Sequence, residues 1–291
     1  MRRDASTQDA YDPATVETVL DALLACAPRR RVAFIGLSGL QGCGKTTLAR
    51  QLAAAARKRG VRIEVLALDD FYLGRRARGA LARARHPLFA TRGVPGTHDL
   101  ALLAHTLAAL ERASPKHPAR IPRFDKGRDT RQPPSRWRRV SSPPRVVLLE
   151  GWCVGVPPQT PRALAAPVNA LERDDDADAR WRRAVDACLR NDYARLWRRL
   201  DALIMLAAPD FGIVRHWRGE PERRLRREGA PRAMSPAALR RFLLHYERLS
   251  RHALRTLPHR ADVVVALDAK RRVERIRIGR QRSRSTTTAV P

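Results

Sequence analysis

The stretch Gly39-Leu40-Gln41-Gly42-Cys43-Gly44-Lys45-Thr46 fits the spacing G-x-x-x-x-G-K-[ST] and joins an apolar run to a helix-forming one. Val32-Ala33-Phe34-Ile35-Gly36-Leu37 is short, apolar and partly β-branched, as a buried parallel strand is, and residues 47–58 are rich in Ala, Leu, Gln and Arg, the strong helix formers. Strand, glycine turn and helix in this order constrain the chain to an α/β fold whose first core helix opens on a phosphate-binding loop. Glycines let the backbone close around an anion, and amide N–H groups and the positive helix N-terminus face the phosphates. Lys45 reaches the outer phosphates and the Thr46 hydroxyl ligates Mg²⁺. The implied ligand is a nucleoside triphosphate with Mg²⁺, held by Gly39, Gln41, Gly42, Cys43, Gly44, Lys45, Thr46 and Thr47.

Composition sharpens this reading. Of 58 basic residues only Lys45, Lys58, Lys116, Lys126 and Lys270 are lysines. A chain that uses arginine nearly everywhere keeps lysine at the motif position because a compact ammonium fits between phosphate oxygens where a planar guanidinium does not. The net charge of +29 would ordinarily suggest nucleic acid or an anionic membrane surface. However, the excess is arginine spread along the chain, and 5% aromatics are too few for base-stacking platforms, so the expected partner is a small anionic substrate and not a nucleic acid. Cys26, Cys43, Cys153 and Cys188 form no C-x-x-C pair and have no histidine at ligand spacing, which points to reduced thiols without a zinc site. Cys43 either fills space in the loop or, at a helix N-terminus, has a lowered thiol pKa. No run approaches the ~20 apolar residues of a membrane span. The expectation is a soluble cytoplasmic protein, monomer or homodimer.

Along the chain, Asp12-Pro13 starts a helix, and residues 61–68 read as a second strand with Asp69-Asp70-Phe71-Tyr72 at its carboxyl end, the edge where open α/β sheets bind ligands. Residues 74–96 read as a long loop on the substrate side, followed by a helix from an N-cap at Thr97 to Leu110. Residues 114–144 read as irregular or a short hairpin, and residues 145–149 as a buried strand ending on Glu150. Residues 157–178 read as a surface loop, 179–199 as a helix, 201–206 as a strand and 211–229 as an arginine-dense segment. A helix starts at Ser235-Pro236, and residues 261–267 form a last parallel strand. The organisation is an N-terminal helical segment (1–30), a nucleotide-binding domain (31–270) with a lid near 210–232, and a basic C-terminal extension (271–291) whose end, from about residue 281, is disordered.

With the loop after the first strand, Asp69 after the second and Glu150 after another, the chain resembles the phosphoribulokinase, uridine kinase and pantothenate kinase group of P-loop kinases. Within it, Gln41 to Thr47, Leu68-Asp69-Asp70-Phe71-Tyr72-Leu73, Arg92-Gly93 with Gly96-Thr97-His98-Asp99-Leu100, Phe124-Asp125-Lys126, Glu150-Gly151-Trp152, Val168-Asn169 and Trp217-Arg218 look like the plant and fungal type of D-glycerate 3-kinase. The resemblance implies a P-loop three-layer sandwich with a mainly parallel sheet, a helical arginine-rich lid, and γ-phosphate transfer from ATP to a hydroxyl, D-glycerate giving 3-phosphoglycerate. It gives Lys45, Asp69, Glu150 and Arg218 catalytic roles. Asp69 accepts or orients the attacking hydroxyl, Glu150 orders Mg²⁺ waters with Thr46 and Asp69 as further metal candidates, and Arg215 and Arg218 close over the phosphates. Arg92 or Arg123 pairs with the acceptor carboxylate, His98, Asp99 and Asp125 meet its hydroxyls, and Tyr72 packs or hydrogen-bonds at the mouth. His98-Asp99 also fits the start of a helix. Phe124 stands where the family has Tyr, and Glu220-Pro221 where it has Gln and Ala, which bears on the acceptor. The alternatives are a kinase of the same fold for a nucleoside, pantothenate or sugar phosphate, or a nucleotide-switched protein that binds RNA or a partner.

Overall fold

The computed structural model describes residues 10–227 and 234–279. The tail from residue 281, the first nine residues and the far end of the lid expected at 210–232 lie outside the described residues. Six strands form the central sheet: β1 (Ala33–Gly39), β2 (Ile63–Ala67), β3 (Val146–Gly151), β4 (Ala202–Ala207), β5 (Val263–Leu267) and β6 (Val273–Ile278). They lie in the order β6-β5-β4-β1-β3-β2, and every pair is parallel except β5 with β6. This is the expected α/β sandwich with a mainly parallel sheet. β1 is buried at every position because both faces of the sheet are covered. Ile35 and Leu37 pack with Leu20, Leu48 and Leu52 of the helices α1 (Pro13–Cys26) and α2 (Lys45–Lys58), while Phe34 on the opposite face joins a cluster with Leu66, Leu103, Leu107 and Trp152.

Register decides where the chemistry sits. Leu37 of β1 and Ala67 of β2 both pair with Glu150 of β3, so the carboxyl ends of three neighbouring strands coincide. The phosphate loop leaves β1 there, Glu150 lies next door, and a 3₁₀ turn, Leu68–Phe71, carries Asp69 off the end of β2.

Several elements differ from their sequence-based outlines. Residues 74–96 are not one long loop: α3 (Arg75–Ala84) occupies their first half. Its sole buried residue is Arg78, so it has no apolar stripe to read. That guanidinium is satisfied by an ion pair to Asp129 and by the carbonyls of Leu73 (2.6 Å) and Ala90 (3.1 Å). The next helix, α4 (Leu100–Glu111), is capped by Asp99, which accepts from Leu102 N at 3.0 Å. Thr97 turns inward to the Val94 carbonyl instead. Residues 114–144 hold two small ribbons, Ala119–Ile121 with Arg138–Val140 and Phe124–Asp125 with Thr130–Arg131. The Pro-rich stretch contains short helices at Pro161–Ala165 and Ala170–Asp175. The helix over 179–199 is interrupted: α5 (Arg180–Cys188) passes through a π turn, Leu189–Tyr193, into Ala194–Trp197. Beyond β4 come α6 (Ile213–Arg227) and α7 (Pro236–Thr256), the latter capped by Ser235 as expected. Finally, residues 273–278 are β6, an antiparallel edge strand of the main sheet, where the sequence suggested an appended tail. Among the described residues no helix is long and apolar enough to cross a membrane.

Two buried ion pairs fix the helical side of the molecule, Arg182 with Asp176 and Arg248 with Glu172. Arg182 Nη1 lies 2.9 Å from Asp176 Oδ2, with side chains only 2% and 0% exposed. Arg182→Ala leaves that carboxylate with the Trp181 and Arg182 N–H groups but no countercation, and the expected loss is about 3–5 kcal/mol of unfolding free energy in a urea titration.

Candidate active site

The phosphate loop is shaped by backbone conformations that side chains resist. Gly42 has φ +80 and Gly44 φ +90, and both are approached closely. A Cβ on Gly44 would lie 2.7 Å from the Tyr11 hydroxyl, and one on Gly42 2.9 Å from Trp217 Cβ. Only glycine fits either place. Gly44 is the N-cap of α2, so the free N–H groups of the first turn converge on the loop. Lys45 is 9% exposed and donates from Nζ to the Leu40 carbonyl at 3.0 Å, folding back along its own loop. The Thr46 hydroxyl donates to Glu150 Oε1 at 2.6 Å. Cys43 is fully buried, and burial pushes its thiol above the ordinary value although Lys45 Nζ is 3.9 Å away. Of the two readings of this thiol, the buried setting agrees with the space-filling one.

Two cavities meet at the loop. The first, about 850 Å³, is walled by Tyr11, Thr15, Thr47, Trp217, Glu220, Lys270 and Arg271. The second, about 1070 Å³, is walled by Gln41, Asp69, Tyr72, Arg92, Arg123, Asp125, Lys126, Glu150, Arg218 and Tyr246. Gly42, Lys45 and Thr46 belong to both. Both polar atoms of the Gln41 amide are buried without a protein partner, a cost that a bound polar ligand would remove.

Asp69 is the most elaborated carboxylate of the second cavity. Lys126 Nζ sits 2.6 Å from Oδ2, and the Tyr72 hydroxyl donates to Oδ1 at 2.7 Å. Burial alone would raise its pKa, but the Lys126 ammonium and these hydrogen bonds outweigh it and bring the group down to about 2. Asp69 is thus an anion throughout the neutral range. Asp70 beside it accepts from Phe124 N at 3.0 Å and is pushed up by burial. Arg92 pairs with Asp129 at 2.6 Å, with its guanidinium 5.8 Å from the Phe124 ring centre. Arg123 is exposed, and Asp125 accepts from Arg128 N at 2.9 Å. Arg218 projects from α6 and pairs with Glu222 at 3.1 Å.

Not every residue expected at the site lines these cavities. His98 stacks on Tyr72 with ring centres 4.7 Å apart and meets the Tyr193 hydroxyl at 2.6 Å from Nδ1. Burial lowers its pKa to about 4, so it is a neutral ring behind the wall. Asp99 caps α4 and pairs with Arg131 at 3.0 Å. Both face a separate cavity of about 690 Å³. Arg215 is exposed and touches neither site cavity, and Gly39 ends β1 behind the loop.

Conversely, Lys126, Lys270, Tyr11, Tyr246 and Arg271 line the site and were not singled out as site residues. For the lysines a signal existed: three of the five in the chain, Lys45, Lys126 and Lys270, line these two cavities, so the rarity that marked Lys45 marks the others as well. Tyr11 carried no such mark. Its hydroxyl donates to the Cys43 carbonyl at 2.8 Å from 32 residues away.

No protein-family model matches the chain. By sequence it is 29% identical over 231 residues to "Uncharacterized kinase mug58" of Schizosaccharomyces pombe, which covers 75% of this chain and 80% of that protein. It is 31% identical over 220 residues to "D-glycerate 3-kinase, chloroplastic" of Arabidopsis thaliana, covering 73% of this chain and 45% of the plant protein, so it spans less than half of that relative. Among solved structures, D-glycerate 3-kinase from Cryptococcus neoformans superimposes with a TM-score of 0.75 at 22% identity, over 92% of this chain and all of that one. The shared architecture is that of a P-loop kinase.

Proposed function

We propose that this chain, which has the fold of the P-loop kinases and D-glycerate 3-kinase among its homologues, transfers the γ-phosphoryl group of ATP to a hydroxyl of a small hydroxylated acid, D-glycerate giving 3-phosphoglycerate. One observation carries the reading. Two cavities join at Gly42, Lys45 and Thr46, so a triphosphate laid along the loop has its nucleoside on one side and its γ-phosphate directed at Asp69 and the arginines on the other.

Thr46 and Glu150, oxygen donors 2.6 Å apart, suit a hard divalent cation and would hold Mg²⁺, whose contribution when bound would be to offset phosphate charge. Asp69, which lines the second cavity with Tyr72 on Oδ1 and Lys126 on Oδ2, is given to the acceptor and not to the metal. A carboxylate with a pKa of about 2 is a weak base toward an alcohol. Asp69 therefore orients the attacking oxygen in line and takes its proton as the new P–O bond forms; phosphoryl transfer needs positioning and charge neutralisation more than early deprotonation. Lys45 and Arg218 meet the charge on the transferring group. Arg92 and Arg123 supply the cationic end for the acceptor's carboxylate, and Lys126, paired with Asp69, moves aside for or joins the incoming hydroxyl. The lid helix α6 excludes water while this happens. The setting we propose is cytoplasmic.

The test is ADP release with and without D-glycerate, alongside a panel of nucleosides, pantothenate and sugar phosphates. A stimulation of roughly a hundredfold or more by D-glycerate alone is expected. Stimulation by a different acceptor would move the substrate assignment, and acceptor-independent hydrolysis with salt-sensitive polynucleotide binding would remove the kinase reading.

A further inference from the structure

Arg271 holds a backbone conformation that costs a non-glycine residue. It lies in the turn between β5 and β6 with φ +64, in the left-handed region that glycine and asparagine enter freely and arginine does not. Nothing in the turn itself demands arginine. The turn is closed by Asp268 N to the Arg272 carbonyl (2.9 Å) and Arg271 N to the Asp268 carbonyl (3.0 Å), while the Asp268 carboxylate accepts from Lys270 N and Arg272 N. All of these would survive a glycine. A strained residue that local structure does not require is retained for its side chain.

That side chain joins three separate parts of the molecule. Nε donates to the Gly42 carbonyl in the phosphate loop at 2.8 Å. Nη2 donates to the Trp217 carbonyl on α6 at 3.3 Å and pairs with Glu220 one turn further on. The guanidinium also lies 5.4 Å from the Trp217 ring centre, and that indole donates to the Ala269 carbonyl in the same turn at 2.8 Å. Phosphate loop and lid helix are thus tied to the end of the sheet through one planar fork, a geometry that lysine cannot reproduce. Trp217 presses on Gly42, and the residue after it, Arg218, faces the acceptor cavity.

We infer that Arg271 is a positioning residue that sets the lid helix against the phosphate loop, so that Arg218 faces the γ-phosphate when the nucleotide is bound. The inference rests on the kinase reading for its effect on turnover, but not for its effect on nucleotide-dependent ordering. Without the fork, nucleotide still meets Lys45 and Thr46. The lid no longer registers on the loop, the charge on the transferring group goes unmet, and water gains access to it.

The test compares the native chain with Arg271→Gly, Arg271→Lys and Glu220→Gln. Arg271→Gly relieves the left-handed strain, so its thermal midpoint is expected not to fall; a role confined to stability predicts the opposite. Hydrogen exchange with Mg-ATP alone is expected to show protection of residues 213–220 in the native chain that is lost in Arg271→Gly and weakened in Arg271→Lys and Glu220→Gln. With acceptor present, kcat is expected to fall at least about tenfold in Arg271→Gly, and ADP released per acceptor phosphorylated to rise above one. Native-like protection and coupling in both Arg271 variants would overturn the inference, as would activity and thermal midpoint falling in parallel. If the native chain turns over no acceptor yet Mg-ATP protection still depends on Arg271, the proposed reaction is wrong and the positioning role stands.

Discussion

Asp69→Asn is expected to lower kcat by roughly 10³–10⁴-fold while leaving Mg-ATP affinity within about threefold. The amide matches the carboxylate in shape and can still meet Tyr72 and Lys126, so packing is preserved. What is lost is the negative charge that balances the Lys126 ammonium 2.6 Å away and that, in the proposed reaction, receives the hydroxyl proton. An uncompensated ammonium next to the acceptor oxygen then lowers its nucleophilicity. Separate measurement of nucleotide binding and single-turnover transfer distinguishes this from damage to the phosphate loop. A variant retaining more than about a tenth of native kcat would remove Asp69 from the reaction. The pH dependence follows from the same contacts. The folded-state pKa, about 2, lies below the ordinary 3.8, so the carboxylate's contribution to stability is complete above pH 3.8 and is lost as pH falls toward 2. No acid limb in the rate between about pH 5 and pH 8 should vanish in Asp69→Asn.

Lys45→Arg is the second large effect, and it tests the composition argument. Charge is conserved in a chain that otherwise uses arginine for almost every cation, yet kcat/KM for ATP is expected to drop by roughly 10²–10³-fold. Lys45 is 9% exposed, and its ammonium reaches the Leu40 carbonyl inside its own loop. A guanidinium is wider, planar and unable to deliver a point charge between phosphate oxygens without displacing the loop backbone. The check is steady-state kinetics across ATP concentrations together with the thermal midpoint. Native-like kcat/KM would show that the loop tolerates any cation and that the lysine is incidental.

The phosphate loop and its flanking strand and helix were legible in the sequence because spacing, strand character and helix formers all lie within one short stretch. Glu150 and Asp69 were legible for a related reason: each follows directly on an apolar run, and parallel sheets collect such positions along one edge. The elements that escaped lack that locality. α3 hides its helical character because its buried residue is Arg78, satisfied by Asp129 some 51 residues away. β6 escaped because Val273–Ile278 is largely solvent-facing and its register shifts between Val273 and Arg275, which blurs the alternation of an edge strand. His98 and Asp99 had the right composition for substrate contacts, but the helix starting at Leu100 takes Asp99 as its cap, and His98 turns toward Tyr193. Arg215 and Arg218 are three residues apart on one helix, yet one faces the cavity and the other does not, a difference set by how α6 lies on Gly42.

The bond from Tyr11 to the Cys43 carbonyl, with Tyr11 N and O also paired to the Gln51 side chain, brings the residue just before α1 to rest on the phosphate loop. Tyr11→Phe removes that donor while keeping the ring against Gly44, so the Cys43 carbonyl and the loop around it are held less firmly. That variant should differ from the native chain in apparent ATP affinity before it differs in anything else.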